Sequence, residues 1–167
     1  LNEITKFLPF YKVSALILDC KVMGFARSKH QAMLPNEHLI LTSEKTSLSL
    51  MIDKKSEVKD GLDVISTDNW AINRKIMNDH QITTGEIGKY RPHELGQQTT
   101  RVSFNKGCFK GQEIIARMEY LGKLKKETRL ILHSNQEEVS KFIIIGQSYK
   151  DQETIFSSCF GKIDSFS

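Results

Sequence analysis

Lys106-Gly107-Cys108-Phe109-Lys110-Gly111-Gln112-Glu113-Ile114-Ile115-Ala116-Arg117 is the stretch on which the reading of this chain turns. Gly107 and Gly111 flank a cysteine–aromatic pair, and glycine admits positive φ and the close approach of another group. A tight turn is expected there. From Gln112 onward the apolar positions Ile114, Ile115, Met118 and Leu121 recur at helical spacing, and Gly122 with lysines beyond it closes the pattern as helix C-termini prefer. Gly111 would open that helix, with its free N–H groups pointing back toward Cys108 and Lys106 and Lys110 alongside. Both effects favour a thiolate and a nearby anion. Spacing alone leaves two readings of Cys108 equally open: a reactive thiol, or a small buried hydrophobe in a strand-to-helix turn. Glu113, in the first helical turn, complements the helix dipole in either case.

The charge of the chain gathers around the same stretch. Lys106 to Arg129 holds seven basic residues (Lys106, Lys110, Arg117, Lys123, Lys125, Lys126, Arg129) against three acidic ones (Glu113, Glu119, Glu127), which accounts for the whole +4 excess of the protein. The remainder is neutral, so one segment carries the positive field that could attract an anionic ligand, unless it is simply a solvated helix face.

Working outward, Thr83–Gln98 is rich in glycine and polar residues around Arg91-Pro92-His93-Glu94 and reads as a long loop, a length that in compact domains points to function or disorder. Thr67-Asp68, followed by Trp70, Ala71, Arg74, Ile76 and Met77, predicts a helix with Trp70 in the core rather than serving as a ligand platform. Leu8–Leu18 and His38–Thr42 read as strands, and Ser43–Lys54 as an amphipathic helix with Ser43 as its cap and Leu48, Met51 and Ile52 on its apolar side. Thr128–His133, Lys141–Gly146 and a run near Thr154–Phe160 predict a β-rich last third. The fold class is therefore α+β, with a boundary near Gly122–Glu127. No internal repeat or low-complexity segment is evident.

The 167 residues allow one ordinary domain or two small ones. The apolar share of 39%, with ten glycines added, comes close to the globular norm of about 45%. No apolar run approaches the roughly 20 residues a bilayer span requires, and the N-terminus lacks a signal-peptide layout, so a soluble cytoplasmic protein is expected. Cys20, Cys108 and Cys159 are odd in number and far apart, which disfavours a disulfide framework and a zinc knuckle. The five histidines never recur at ligand spacing, and phosphate-loop, dinucleotide, zinc-protease and esterase signatures are absent, so no metal site is expected. Because the chain opens at Leu1 and enters an amphipathic segment almost at once, further residues are expected upstream.

At Lys106–Glu113 the chain resembles the YgfZ family of folate-binding proteins, relatives of the glycine-cleavage T-protein, whose hallmark is Lys-Gly-Cys-Tyr-x-Gly-Gln-Glu. One defined position differs, Phe109 for tyrosine, so any hydrogen bond through that hydroxyl is lost here. Trp70 with its helix, Pro92, Val102-Ser103-Phe104 and Ala116-Arg117 also look like the family, whereas Asn78–Ile82 lacks the glycine and proline it would place there. The likeness runs loosely from about Leu8 to Gly161, as in a partial or truncated member.

The resemblance implies a mixed α/β T-protein-like folate-binding body over 1–123, lacking its N-terminal part, and a small, incomplete C-terminal β-barrel over 124–167. It also implies a tetrahydrofolate-type cofactor, with Lys106, Gly107, Gly111, Gln112, Glu113, Trp70 and Arg117 around it and Cys108 as the functional thiol. The implied role is support of iron–sulfur client enzymes, including those that modify tRNA by methylthiolation. A flat pterin suits an apolar wall and its anionic glutamate tail suits a basic rim. A folate-dependent aminomethyl or one-carbon transferase is the alternative, although no acid/base carboxylate is assignable. Direct nucleic-acid binding through Lys106–Arg129 ranks last, because aromatic residues are not interleaved with the basic ones. No membrane partner is expected.

Overall fold

The computed structural model describes residues 9, 19–34, 36–53, 63–108 and 111–167. Among the described residues the helices and strands follow one another as β1 (Lys21–Ser28), β2 (Glu37–Thr42), β3 (Thr46–Asp53), α1 (Thr67–Ile76), α2 (Gln112–Leu121), β4 (Lys126–His133), β5 (Ile143–Asp151) and β6 (Thr154–Lys162). The strands form two antiparallel three-stranded sheets, ordered β1-β3-β2 and β4-β6-β5. The mixed α+β class is as the sequence predicts. Among the described residues the second sheet stays open rather than closing into a barrel. The strand expected at Leu8–Leu18 lies outside the described residues, Pro9 apart.

The first sheet corrects the sequence reading at one element. The helix expected over Ser43–Lys54 is not formed by its described residues: Thr46–Asp53 is the central strand, paired on both sides, and Lys54 lies outside the described residues. Leu48, Met51 and Ile52 match helical spacing, but the same window holds Thr46, Ser47 and Ser49, which favour extended backbone over helix. Ser47, Leu48 and Ser49 are all buried, as expected of a central strand covered on both faces. Ser43 does act as a cap, but of the β2–β3 turn: its Oγ accepts from Lys45 N at 3.3 Å and Thr46 N at 3.0 Å.

A buried ion pair locks the three strands. Glu37 Oε1 on β2 lies 2.8 Å from Arg27 Nη2 on β1, with Ser49 Oγ of the intervening β3 donating to the same carboxylate oxygen. Leu34 N donates to the other oxygen at 2.6 Å. Charges removed from water persist only when paired and hydrogen-bonded in this way.

Helix α1 joins the two sheets. Ser66 caps it by accepting from Asn69 N at 3.1 Å, and Asp68 sits in the first turn with Arg74 and Lys75 in the last, the arrangement that complements the helix dipole. Its Trp70 ring lies directly over Gly24 of β1, where an added Cβ would stand 2.9 Å from two ring carbons. Trp70 is thus a half-buried packing residue, as its helical position predicts. The other side of α1 packs on β5 and β6. After α1 the chain turns at Asn78, whose φ of 61° is left-handed, and Gly96 leaves the room that the Asn78 amide occupies.

The long loop runs through a short 3₁₀ turn at Thr84–Glu86 and a series of hydrogen-bonded turns to Arg101. It carries Leu95, which packs with Ile145 and Phe160 in a small core that Tyr90 joins edge-on, its ring 5.0 Å from that of Phe160. Among the described residues no helix is long and apolar enough to cross a membrane.

Candidate functional site

The described residues of the cysteine motif lie before and at the start of α2. Lys106, Gly107 and Cys108 are exposed; Phe109 and Lys110 lie outside the described residues; Gly111 is the N-cap at φ 87°, ψ 1°. That conformation costs an L residue roughly 1–2 kcal/mol, which is the physical reason for glycine at 111. Gly107 differs from its expectation. Its φ is not left-handed, and an added Cβ would meet nothing within 4 Å. Backbone geometry therefore explains one glycine of the pair.

Gln112 and Glu113 begin the helix. Glu113 lies 3.9 Å from Arg117 one turn on, both side chains largely in water, so the pair is worth no more than about 0.5 kcal/mol. Three contacts hold the far end of α2 to the loop before it. Glu119 Oε2 is 2.9 Å from His93 Nε2, Phe104 meets Tyr120 edge-on at 6.3 Å, and Arg91 Nη1 donates to Met118 Sδ at 3.6 Å. No residue of α2 is buried, and Ile114, Tyr120 and Leu121 are exposed. Lys123 and Lys125 follow in the exposed link to β4 and exposed Lys126 opens that strand, while Arg129 pairs with Glu127. Lys106, Gly107, Cys108, Gly111, Glu113 and Arg117 are exposed and Gln112 is partly exposed. Trp70 lies on a separate element, against β1.

A second constellation, which the sequence reading missed, lies between α1, the segment after it and the second sheet. Lys75 Nζ donates to Ser158 Oγ at 2.6 Å; Ser158 Oγ is 2.8 Å from His80 Nδ1; His80 Nε2 is 2.7 Å from Asn78 Oδ1. An ammonium only donates and an amide oxygen only accepts, so one arrangement satisfies every atom: Lys75 to Ser158, the Ser158 hydroxyl to His80 Nδ1, and His80 Nε2–H to Asn78. The imidazole in that arrangement is neutral. Burial and the Lys75 charge agree, pushing the His80 pKa down to about 4. Burial lowers Lys75 to about 8 and raises the Cys159 thiol to about 11.

Beside this chain of hydrogen bonds, Asp79 is 1% exposed and accepts from both Arg74 and Arg101 at 2.5–3.2 Å. Glu86 caps its own turn through Thr83 and also accepts from Gly146 N at 3.1 Å, hydrogen bonds that hold its carboxyl below the usual carboxylate range. One signal of this cluster was present in the sequence. Lys75 falls at helical spacing from Ala71 and Ile72, on the apolar side of α1. Among the described residues no three His, Cys, Asp or Glu side chains gather as a metal site.

No protein-family model matches the chain, and no solved structure does. Two curated relatives do. The chain is 48% identical over 46 residues to the tRNA-modifying protein YgfZ of Colwellia psychrerythraea, a match covering 27% of this chain and 14% of that protein. It is 26% identical over 103 residues to the tRNA-modifying protein YgfZ of Vibrio atlanticus, covering 61% of this chain and 30% of that one. The resemblance read from the cysteine motif is therefore found again in whole-sequence comparison, as a partial likeness. The matched stretches span less than a third of either relative's length.

Proposed function

We propose that this chain is part of a YgfZ-like protein that supports tRNA modification, and that the Lys106–Arg117 surface is its working face. The observation that carries the reading is an exposed thiol, Cys108, three residues before a left-handed glycine that opens a helix, within a chain similar to proteins named for tRNA modification. The finer form of the reading is a folate-binding accessory protein that maintains iron–sulfur enzymes in the cytoplasm. A tetrahydrofolate would lie beside the motif loop, with Lys106, Gly107, Gly111, Gln112, Glu113 and Arg117 near it and exposed lysines facing its anionic tail. Gly107, free of any steric demand from its own backbone, would then serve the close approach of that ligand. Trp70 would contribute from behind, by holding α1 on the first sheet.

In this reading residues 1–123 belong to a T-protein-like body, and the open β4-β6-β5 sheet of 124–167 is part of a small barrel in the longer protein. The chemistry open to Cys108 is that of an accessible sulfur: attack, oxidation or transient contact with a cluster. Calorimetric titration of tetrahydrofolate into the full-length protein tests the cofactor. Saturable heat that weakens when Lys106 and Arg117 are both changed to Ala supports it, and no heat contradicts it. The alternative, one-carbon transfer, predicts a modified folate product by mass spectrometry, whereas the accessory role predicts folate recovered unchanged.

A further inference from the structure

A cavity of about 160 Å³ opens between α1, the segment after it and β5, lined among others by Lys75, Asp79, Gln81, Thr83, Gly146 and Tyr149. It is built by a break in the second sheet. Ile145 pairs with Ser158 and Tyr149 with Phe156, so Gly146-Gln147-Ser148 bulge opposite Ser157 alone. Gly146 takes φ 65° there, with its backbone pressed against the Gln81 carbonyl where no Cβ would fit.

Lys75 is the unusual member of the wall. It is 4% exposed, hydrogen-bonds a neutral hydroxyl and lies 5.7 Å from the centre of the Tyr149 ring. Among the described residues it has no carboxylate within ion-pair distance. Of the described groups around it, only Glu86 acts on it as a counter-charge, and from beyond ion-pair distance. Asp79 is neutralised by two arginines, the Glu86 carboxylate is held by Thr83 and Gly146, and His80 and Cys159 are uncharged at neutral pH.

A lysine titrating at about 8 is about nine-tenths protonated at pH 7, so the free amine needed for carbonyl chemistry is the minor form. The cation dominates, and a cation buried without a partner is costly. Of the charged groups that line the cavity, Asp79 is paired with Arg74 and Arg101, which leaves Lys75 as the wall's charge without an ion pair.

We propose that this cavity binds a small oxyanion, a carboxylate or a phosphate-type group, with Lys75 Nζ supplying the counter-charge. The site is independent of the Cys108 surface and of the folate reading. Sulfate and acetate are suitable probes, since neither titrates between pH 7 and pH 9. The test follows the Lys75 Nζ and Cε resonances of the full-length protein while each probe is added.

The expected result is a saturable shift of Lys75 with at least one probe. Sulfate alone indicates a phosphate-type ligand and acetate alone a carboxylate. Binding should weaken about tenfold between pH 7 and pH 9 as the ammonium is lost. Lys75→Met, which keeps the shape of the side chain, should abolish it. A Lys75 resonance insensitive to both probes, binding that survives Lys75→Met, or affinity unchanged once the same resonances show the Lys75 ammonium deprotonated each overturns the proposal. The titration of the unsubstituted protein decides the question even if the variant does not fold.

Discussion

Gly111, Lys75 and His80 show how single residues bear on the account. Gly111→Ala places a Cβ in the left-handed region and should cost about 1 kcal/mol, read as a lower urea midpoint, while Gly107→Ala should leave stability unchanged. A loss of activity in Gly107→Ala without loss of stability would identify that glycine with a ligand. For His80 the folded pKa of about 4 lies below the ordinary 6.5, so its contribution to stability is complete above about pH 6.5 and is lost as pH falls through 4. Lys75 follows the same sign at higher pH: its folded value of about 8 lies below 10.5, so the protein gains stability between pH 8 and 10.5, on the order of 3 kcal/mol. Chemical denaturation across that range should show the rise, and Lys75→Met should remove it and be the more stable protein at pH 7.

Among the elements, the ones legible in the sequence are those whose pattern is local. Helix α2 begins and ends where its spacing and Gly122 place it, and α1 follows its polar start and apolar row. Strands β4 and β6 contain the runs that announce them and β5 overlaps its run from Ile143 onward, because β-branched clusters between turns have few other uses. Strand β3 was not legible. Its two neighbours decide its state, and a central strand with serines on a covered face lacks the alternation that identifies an edge or half-buried strand. Strand β1 went unnoticed because Lys21, Arg27 and Gly24 dilute an alternating pattern that only Met23 and Phe25 carry. At this scale the Arg27–Glu37 pair is the decisive contact of the first sheet. Glu37→Ala should destabilise it by about 3 kcal/mol, since it leaves a buried guanidinium unpaired, and amide exchange should rise in β1–β3 more than in β4–β6.

At the scale of the whole molecule, α1 couples two sheets through contacts of opposite character: an indole over a glycine on one side, a lysine–serine–histidine chain on the other. The cysteine surface stands apart from that coupling. None of α2 is buried, and among the described residues Met118, Glu119 and Tyr120 at its end contact the loop before it. Of the candidate site, the motif was legible because six of its seven defined positions match at fixed spacing, whereas the Lys75 cluster was not, because Ser158 and His80 are 78 positions apart in sequence. The separation has a consequence for Cys108: an exposed thiol in a loop that supports no core can be changed without touching the fold. The most direct test of the account is therefore Cys108→Ser in the full-length protein, read by thermal unfolding and by tRNA methylthiolation in cells lacking the native gene. The account predicts unfolding within about 2 °C of the unsubstituted protein, the shift expected of a surface change of under 0.5 kcal/mol, together with loss of the modification. Full restoration of the modification by the serine variant would contradict it.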